Sequence, residues 1–164
     1  MNVDEILGSL NTEQVDYILI GGMNFLLRHI PELTFDVDIW VMDNEHNLQC
    51  LNKALIKLGA EWGRTETEWR AVAEDWHWMR SQPMFCLTTK KGALDIFREV
   101  LGLENRYEEC RRRAYAAKTA TGIPFASLSD RDMLTCQESL PVEQQNSRRM
   151  EILRRAILNE KGGE

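Results

Sequence analysis

Asp36 and Asp38 are the residues of this chain whose type and spacing most clearly point to chemistry. They lie in segment 34–41, where apolar residues alternate with them as in a half-buried β-strand. Residues two apart on a strand project from the same face, so the two carboxylates are predicted to lie side by side. Carboxylates at that separation repel each other unless a cation lies between them, and hard oxygen ligands favour Mg²⁺ or Mn²⁺. The pattern predicts a divalent metal site.

A double glycine precedes this strand. Gly21 and Gly22 follow an apolar run, residues 15–20, that is typical of a buried strand, and a short helix is predicted after them. Glycines at such a turn bring bare backbone amides and a helix N-terminus against a phosphate. Asn24 either donates to a phosphate oxygen or caps the helix. A phosphate cradle beside a pair of carboxylates is what phosphoryl or nucleotidyl transfer requires.

The ordered set of paired glycines, short helix and Thr-x-Asp-x-Asp strand resembles the nucleotidyltransferase superfamily of the DNA polymerase β type. Within it, the chain is most similar to the small bacterial nucleotidyltransferases related to toxin–antitoxin and abortive-infection proteins. A later segment that begins Ile-Pro-x-x-Ser-Leu at Ile123 also fits this family. The resemblance covers residues 15–158. It implies an α+β fold with a mixed sheet flanked by helices, and C-terminal helices packed on the core.

The resemblance also implies a reaction and a ligand set. The family needs a third carboxylate on a later strand, and Asp95, with apolar neighbours on both sides, supplies it. Asp36, Asp38 and Asp95 would then hold Mg²⁺ or Mn²⁺, with Asp95 nearest the nucleophile. A nucleoside monophosphate would pass from a nucleoside triphosphate, ATP by analogy, to a hydroxyl acceptor on a protein, a tRNA or a small molecule. A toxin or antitoxin partner is a further implication of the family.

Three positions depart from the family pattern. Glu32 stands where relatives often have Arg, and Gln137 stands near an expected Lys. Met150 lies in a Ser-Arg-Arg-Met-Glu run that replaces a charged cluster containing aspartate, which leaves Arg148, or its neighbour Arg149, to bind a triphosphate. The departures keep open a non-catalytic binding protein, such as an antitoxin-like or regulatory subunit, and a small-molecule phosphotransferase is a third alternative.

Composition limits the remaining classes. The 164 residues carry a net charge of −6, which argues against a surface that coats nucleic acid. The four cysteines show no metal or redox spacing, and neither a basic leader nor an apolar run of membrane-spanning length is present. We expect a cytoplasmic protein with no membrane segment and a single domain over residues 1–164, with a core at 15–125 and a helical part at 126–160.

Periodicity and turn residues predict the remaining elements. Gly59 is expected to end the third helix, and Pro141 separates the last two. The stretch from residue 60 to 83 has no clear pattern. The predicted helices are 3–10, 23–30, 44–58, 104–117, 129–140 and 142–158, and the further predicted strands are 84–87, 93–97 and 119–124.

Overall fold

The computed structural model describes residues 1–161, so the last three residues of the predicted domain lie outside the described part of the chain. Three short 3₁₀ turns, Glu66–Glu68, Trp76–Ser81 and Val142–Gln144, lie in the connections. The helices are α1 (Val3–Thr12), α2 (Gly21–Arg28), α3 (Glu45–Lys57), α4 (Tyr107–Arg113), α5 (Asp130–Ser139) and α6 (Ser147–Lys161). The strands are β1 (Tyr17–Ile20), β2 (Asp36–Val41), β3 (Glu61–Trp62), β4 (Arg70–Ala71), β5 (Met84–Thr89), β6 (Gly92–Phe97), β7 (Tyr115–Lys118) and β8 (Pro124–Ser127).

The strands form one mixed sheet in the order β4-β3-β5-β6-β2-β1-β8-β7. Neighbouring strands are antiparallel except at two places, where β2 pairs with β6 and β1 pairs with β8 in parallel. Strands β5 and β6 form a hairpin with a two-residue connection, Lys90 and Lys91. The α+β class and the mixed sheet flanked by helices, both predicted from the sequence, are confirmed.

A hydrophobic cluster lies on each face of the sheet. The first cluster joins α1 and α3 to one face through residues such as Leu7, Leu51 and Ile39. The second joins α4, α5 and α6 to the other face and includes Ile18, Met133 and Leu153. The C-terminal helices therefore pack on the core, as expected.

Local signals explain where several helices begin and end. The side chain of Asn2 accepts from the backbone amide of Glu5 at the start of α1, and Asn44 does the same for Asn47 at the start of α3. Gly59, with a φ of +62°, follows the end of α3, since glycine adopts this left-handed conformation without steric cost. The predicted stop at Gly59 is confirmed.

Two predicted elements after the hairpin are wrong. The helix predicted over residues 104–117 is limited to α4, and Tyr115–Lys118 is instead the strand β7. The strand predicted at 119–124 begins only at Pro124, because residues 119–122 form the turn between β7 and β8. The final helix also starts later than residue 142, at Ser147. Within residues 1–161, the structure contains no helix of the length and hydropathy that crossing a bilayer demands.

Candidate active site

The pairing of β2 with β6 brings the three predicted carboxylates together. Asp38 lies directly opposite Asp95 in this parallel pair, and Asp36 lies two residues earlier on β2. The residues between them, such as Val37 and Leu94, are fully buried in the first cluster, so the alternation of the strands sends the carboxylates to the opposite face. One ligand oxygen from each of the three lies within 4.8 Å of the others. Their role as metal ligands remains a prediction.

The three negative charges are held close in a partly buried site. Burial raises the pKa of Asp38 to about 7, and repulsion from Asp36 and Asp95 adds to the effect, while the Gly22 amide and Arg149 oppose it. Burial also raises the pKa of Asp95, against a hydrogen bond from the thiol of Cys86. Like charges so arranged suit a divalent cation, because hard oxygen ligands without a neutralising partner are what Mg²⁺ and Mn²⁺ bind.

The double glycine lies beside this cluster. Ile20, the last residue of β1, is the cross-strand partner of Asp38, so Gly21 follows at the carboxylate. Gly21 has a φ of +65°, and a Cβ at this position would lie 2.1 Å from Oδ2 of Asp38. Only glycine fits there without displacement of the carboxylate. The same turn opens α2, whose N-cap residue Ile20 makes no side-chain hydrogen bond to the helix. The backbone amide of Gly22, in the first turn of α2, instead donates to the carboxylate of Asp38.

A threonine side chain donates a hydrogen bond to the first aspartate. Thr34, in the loop before β2, donates from Oγ1 to Oδ1 of Asp36 over 3.2 Å. A Cβ at Gly22 would lie 3.0 Å from the same Oγ1, so the loop packs closely against the glycine turn. The threonine of the Thr-x-Asp-x-Asp pattern therefore links the turn to the carboxylates.

Asn24 does not face this cluster. Its side chain is fully buried, accepts from the hydroxyl of Ser127 over 2.6 Å and donates to the backbone oxygen of Leu128 over 3.2 Å. These bonds join α2 to the end of β8. The geometry supports neither of the two roles considered for Asn24, a phosphate contact or a helix cap, and gives it a structural role instead.

Arg149, rather than Arg148, is directed to the site. Arg148 is exposed, whereas Arg149 forms an ion pair with Glu32 and contributes a positive potential at Asp38. The Nε atom of Arg149 is buried and has no hydrogen-bond partner. A helical pattern could have separated the two arginines, since Arg149 lies one turn before the fully buried Leu153.

Sequence reasoning also missed Cys86. This residue of β5 is the cross-strand partner of Asp95, and its Sγ lies 3.3 Å from Oδ2 of Asp95. Burial raises the pKa of the thiol to about 11, and the charge of Asp95 adds to the effect. Cys86, Asp95, Asp38 and Ile20 thus form one row across four neighbouring strands, here called the cross-strand row. The register of the β5–β6 hairpin was the signal that would have found Cys86.

Two solved structures with this architecture match most of the chain. The solution structure of the antibiotic-resistance factor ANT(2'')-Ia matches with a TM-score of 0.54 and 12% identity, over 93% of this chain and 78% of that one. The crystal structure of ANT(2'')-Ia in complex with adenylyl-2''-tobramycin matches with a TM-score of 0.56 and 13% identity, over 97% of this chain and 89% of that one. No protein-family model and no curated protein matches the sequence.

The likeness to these structures concerns the fold. The chain has the fold of the nucleotidyltransferases, as the sequence resemblance implied. Among the described residues, the one group of three or more potential ligands close enough to share an ion is the Asp36, Asp38 and Asp95 cluster.

Proposed function

We propose that this protein is a metal-dependent nucleotidyltransferase that moves a nucleoside monophosphate from a nucleoside triphosphate, ATP by analogy, to a hydroxyl group of an acceptor. The observation that carries the proposal is the convergence of three carboxylates from two strands beside the glycine turn at the N-terminus of α2. Asp36, Asp38 and Asp95 would hold Mg²⁺ or Mn²⁺, which supplies the positive charge that the phosphates need during transfer.

Each residue of the site has a role in this proposal. The amide of Gly21 and the guanidinium of Arg149 bind the triphosphate oxygens, and the amide of Gly22 holds the carboxylate of Asp38. The acceptor hydroxyl attacks the α-phosphorus, the bond to the bridging oxygen of the β-phosphate breaks, and pyrophosphate leaves. The hydroxyl proton passes to a carboxylate, and Asp95 is the candidate because it lies on β6, next to the strand β5 whose face on that side is exposed.

The acceptor is less well defined than the nucleoside triphosphate in this proposal. Protein, tRNA and small-molecule hydroxyls all fit the reaction, and the net charge of −6 disfavours a large RNA surface. The bound adenylyl-2''-tobramycin of the similar fold is a nucleotidylated small molecule, which supports a small-molecule acceptor by analogy. We therefore place a small molecule first.

A labelled-transfer assay tests the proposal. Purified protein is incubated with α-³²P-ATP and Mg²⁺ in separate reactions with tobramycin, total tRNA and cell-lysate protein. The Asp36→Asn/Asp38→Asn double variant is expected to transfer at least about a thousandfold less label, equivalent to about 4 kcal/mol of transition-state stabilisation. Asp75→Asn, the same chemical change at an exposed residue of another segment, serves as the control and should retain activity.

Three outcomes separate the alternatives. Equal transfer by the wild type and the double variant would refute the proposal. Retained nucleotide binding without transfer to any acceptor would favour the non-catalytic binding protein. Recovery of the γ-phosphate rather than the α-phosphate on the acceptor would identify a phosphotransferase.

A further inference from the structure

A loop of residues 31–35, here called the Glu32 loop, lies in the connection between α2 and β2. Its residues alternate between exposed and partly buried, and the two partly buried ones, Glu32 and Thr34, face the candidate site. Glu32 forms an ion pair with Arg149, while Thr34 donates to Asp36. The loop therefore contacts both the guanidinium proposed to bind phosphate and one of the carboxylates proposed to bind metal.

The carboxylate of Glu32 lies at the glycine turn. A Cβ at Gly22 would be 3.3 Å from Oε1 of Glu32. The same oxygen accepts from Nη2 of Arg149, whose charge also acts on Asp38. An anionic oxygen that lies beside the turn and on the guanidinium occupies the kind of position that a phosphate oxygen would take.

Arg149 is the fixed member of this ion pair. It lies in the first turn of α6, its guanidinium carbon is 5.3 Å from the ring centroid of Phe25, and its Nε atom is buried. Within residues 1–161, the bond to Glu32 is the one hydrogen bond that the Arg149 side chain forms. Exchange of this single partner is therefore enough to make the guanidinium available to a ligand.

Glu32 is the member that can move. Residues 31–34 form no backbone–backbone hydrogen bond with another part of the described chain. Leu33 and Phe35 are 81% and 74% exposed, so little apolar burial holds the loop in place. A segment with few backbone hydrogen bonds and little buried apolar surface is displaced at a low cost in free energy.

A phosphate group and Glu32 compete for Arg149. Phosphate oxygens accept the same charge-assisted hydrogen bonds from a guanidinium as a carboxylate does. The side chains of Arg149 and Glu32 are only 18% and 19% exposed, so water screens their charges weakly. A carboxylate that stayed in place would repel the incoming phosphate, and displacement of Glu32 removes this repulsion.

We propose that Glu32 is an internal competitor for the phosphate site: its carboxylate occupies Arg149 in the nucleotide-free protein, and a phosphate group of the nucleotide displaces it together with the Glu32 loop. The proposal rests on the proposed function, because that function supplies the triphosphate. The apparent affinity for a triphosphate is lowered by the fraction of molecules in which Glu32 blocks Arg149. Because Thr34 belongs to the same loop, the displacement also frees Oδ1 of Asp36 from its hydrogen bond.

Calorimetric titration with inorganic triphosphate and Mg²⁺ tests the competition. Glu32→Gln keeps the size of the side chain but removes its charge, so we expect it to bind triphosphate at least about fivefold more tightly than the wild type, a change of about 1 kcal/mol. Glu151→Gln is the matched control, because Glu151 pairs with Arg155 on the exposed side of the same helix, α6. The affinity of this control should stay within twofold of the wild type.

An Arg149→Gln background separates competition from a general effect of charge. Without the guanidinium, Glu32 has no partner to occupy, so Glu32→Gln should lose most of its effect on affinity in that background. Glu32→Ala, which removes the whole side chain, keeps the test decisive if Glu32→Gln does not fold. It should show the same gain in affinity.

Three results would overturn the proposal. The first is triphosphate binding by the Glu32 variants that is no tighter than that of the wild type, and weaker binding would make Glu32 a residue that positions Arg149. The second is an undiminished gain from Glu32→Gln in the Arg149→Gln background. The third is the failure of the wild type and every variant to bind triphosphate.

The titration also separates this proposal from the proposed function, because inorganic triphosphate binds without transfer of a nucleotide. Tighter binding by Glu32→Gln in a protein that transfers no label would retain the internal competitor and reject the transferase. Label transfer by a wild type whose triphosphate affinity is the same as that of Glu32→Gln would do the reverse.

Discussion

Strands β1 and β5 lie in the same sheet, but β1 is buried on both faces and β5 on only one. Every residue of β1 is buried, because one face packs in the first cluster and the other in the second. In β5 only one face is buried, and the alternate residues Met84, Cys86 and Thr88 are exposed on the face that carries the carboxylates. The helices of the C-terminal part cover that face at β1 and leave it open at β5.

The difference explains how one sheet provides both stability and access. At β1, burial on two faces fixes the strand end from which the glycine turn starts. At β5, the open face leaves Asp95 partly exposed beside Cys86. The carboxylates lie on β2 and β6, between the covered strand and the open one.

The largest effect is expected from the buried core at β1. Ile18→Ala removes a fully buried side chain from the second cluster and should reduce the free energy of unfolding by about 3 kcal/mol. Met84→Ala, on the corresponding face of β5, should change it by less than about 1 kcal/mol, because Met84 is 36% exposed. Urea denaturation measures both, and equal losses would remove the distinction between the two strands.

A smaller loss is expected at the glycine turn between the two regions. Gly21→Ala puts a Cβ against the Asp38 carboxylate at a positive φ, so we expect a loss of about 2 kcal/mol in stability. Gly8→Ala in α1 is the control, since its Cβ meets no atom within 4 Å and alanine favours the helix by about 1 kcal/mol. Thermal unfolding of both variants measures the difference, and an unchanged midpoint for Gly21→Ala would contradict the close approach.

The smallest effect has the opposite sign and depends on pH. Burial raises the pKa of Asp38 to about 7, so ionisation of this carboxyl opposes folding. The free energy of unfolding should therefore fall as the pH rises from about 4, the ordinary pKa of Asp, to about 7. Without metal, Asp38→Asn should therefore stabilise the fold at pH 8 by roughly 1 kcal/mol or more, the free energy of one unit of pKa shift. The gain should shrink towards pH 5.

Urea denaturation with EDTA at pH 5 and pH 8 measures this effect. Asp4→Asn is the control of opposite sign, because hydrogen bonds from Thr119 and Thr121 hold the pKa of Asp4 below its usual range. Added Mg²⁺ should stabilise the wild type at pH 8 more than Asp38→Asn. A metal-free variant that is less stable than the wild type at pH 8 would mean that the repulsion is relieved within the protein.

Local sequence patterns predicted the parts of the fold that are determined by neighbours in the chain. The apolar alternation of segment 36–41 predicted β2 and the shared face of its two aspartates. Gly59 predicted the end of α3. Strand β7 could not be predicted in this way. Its sequence, Tyr-Ala-Ala-Lys, continues the pattern of a helix former, and it is a strand because it pairs with β8.

The positions of some candidate site residues also depend on long-range contacts, which local sequence patterns do not show. Asn24 follows the glycines, so a phosphate contact and a helix cap were both considered for it. Its hydrogen-bond partners, Ser127 and Leu128, lie more than a hundred residues away in sequence. The exposure of Arg148 and the partial burial of Arg149 likewise depend on the packing of α6 against the core. Chemical type identified the candidates, and tertiary packing determined which of them lie near the carboxylates.

The side chains of the cross-strand row lie on one face of the sheet only while each strand keeps its register. Side chains on a strand alternate with a period of two, so the loss of one residue between Gly92 and Asp95 would turn the carboxylate into the first cluster and bring an apolar neighbour to its position. The same holds within β2. Deletion of one residue between Gly92 and Asp95, or of Val37 between the two aspartates of β2, should therefore abolish the acidic cluster, even where the sheet itself still forms.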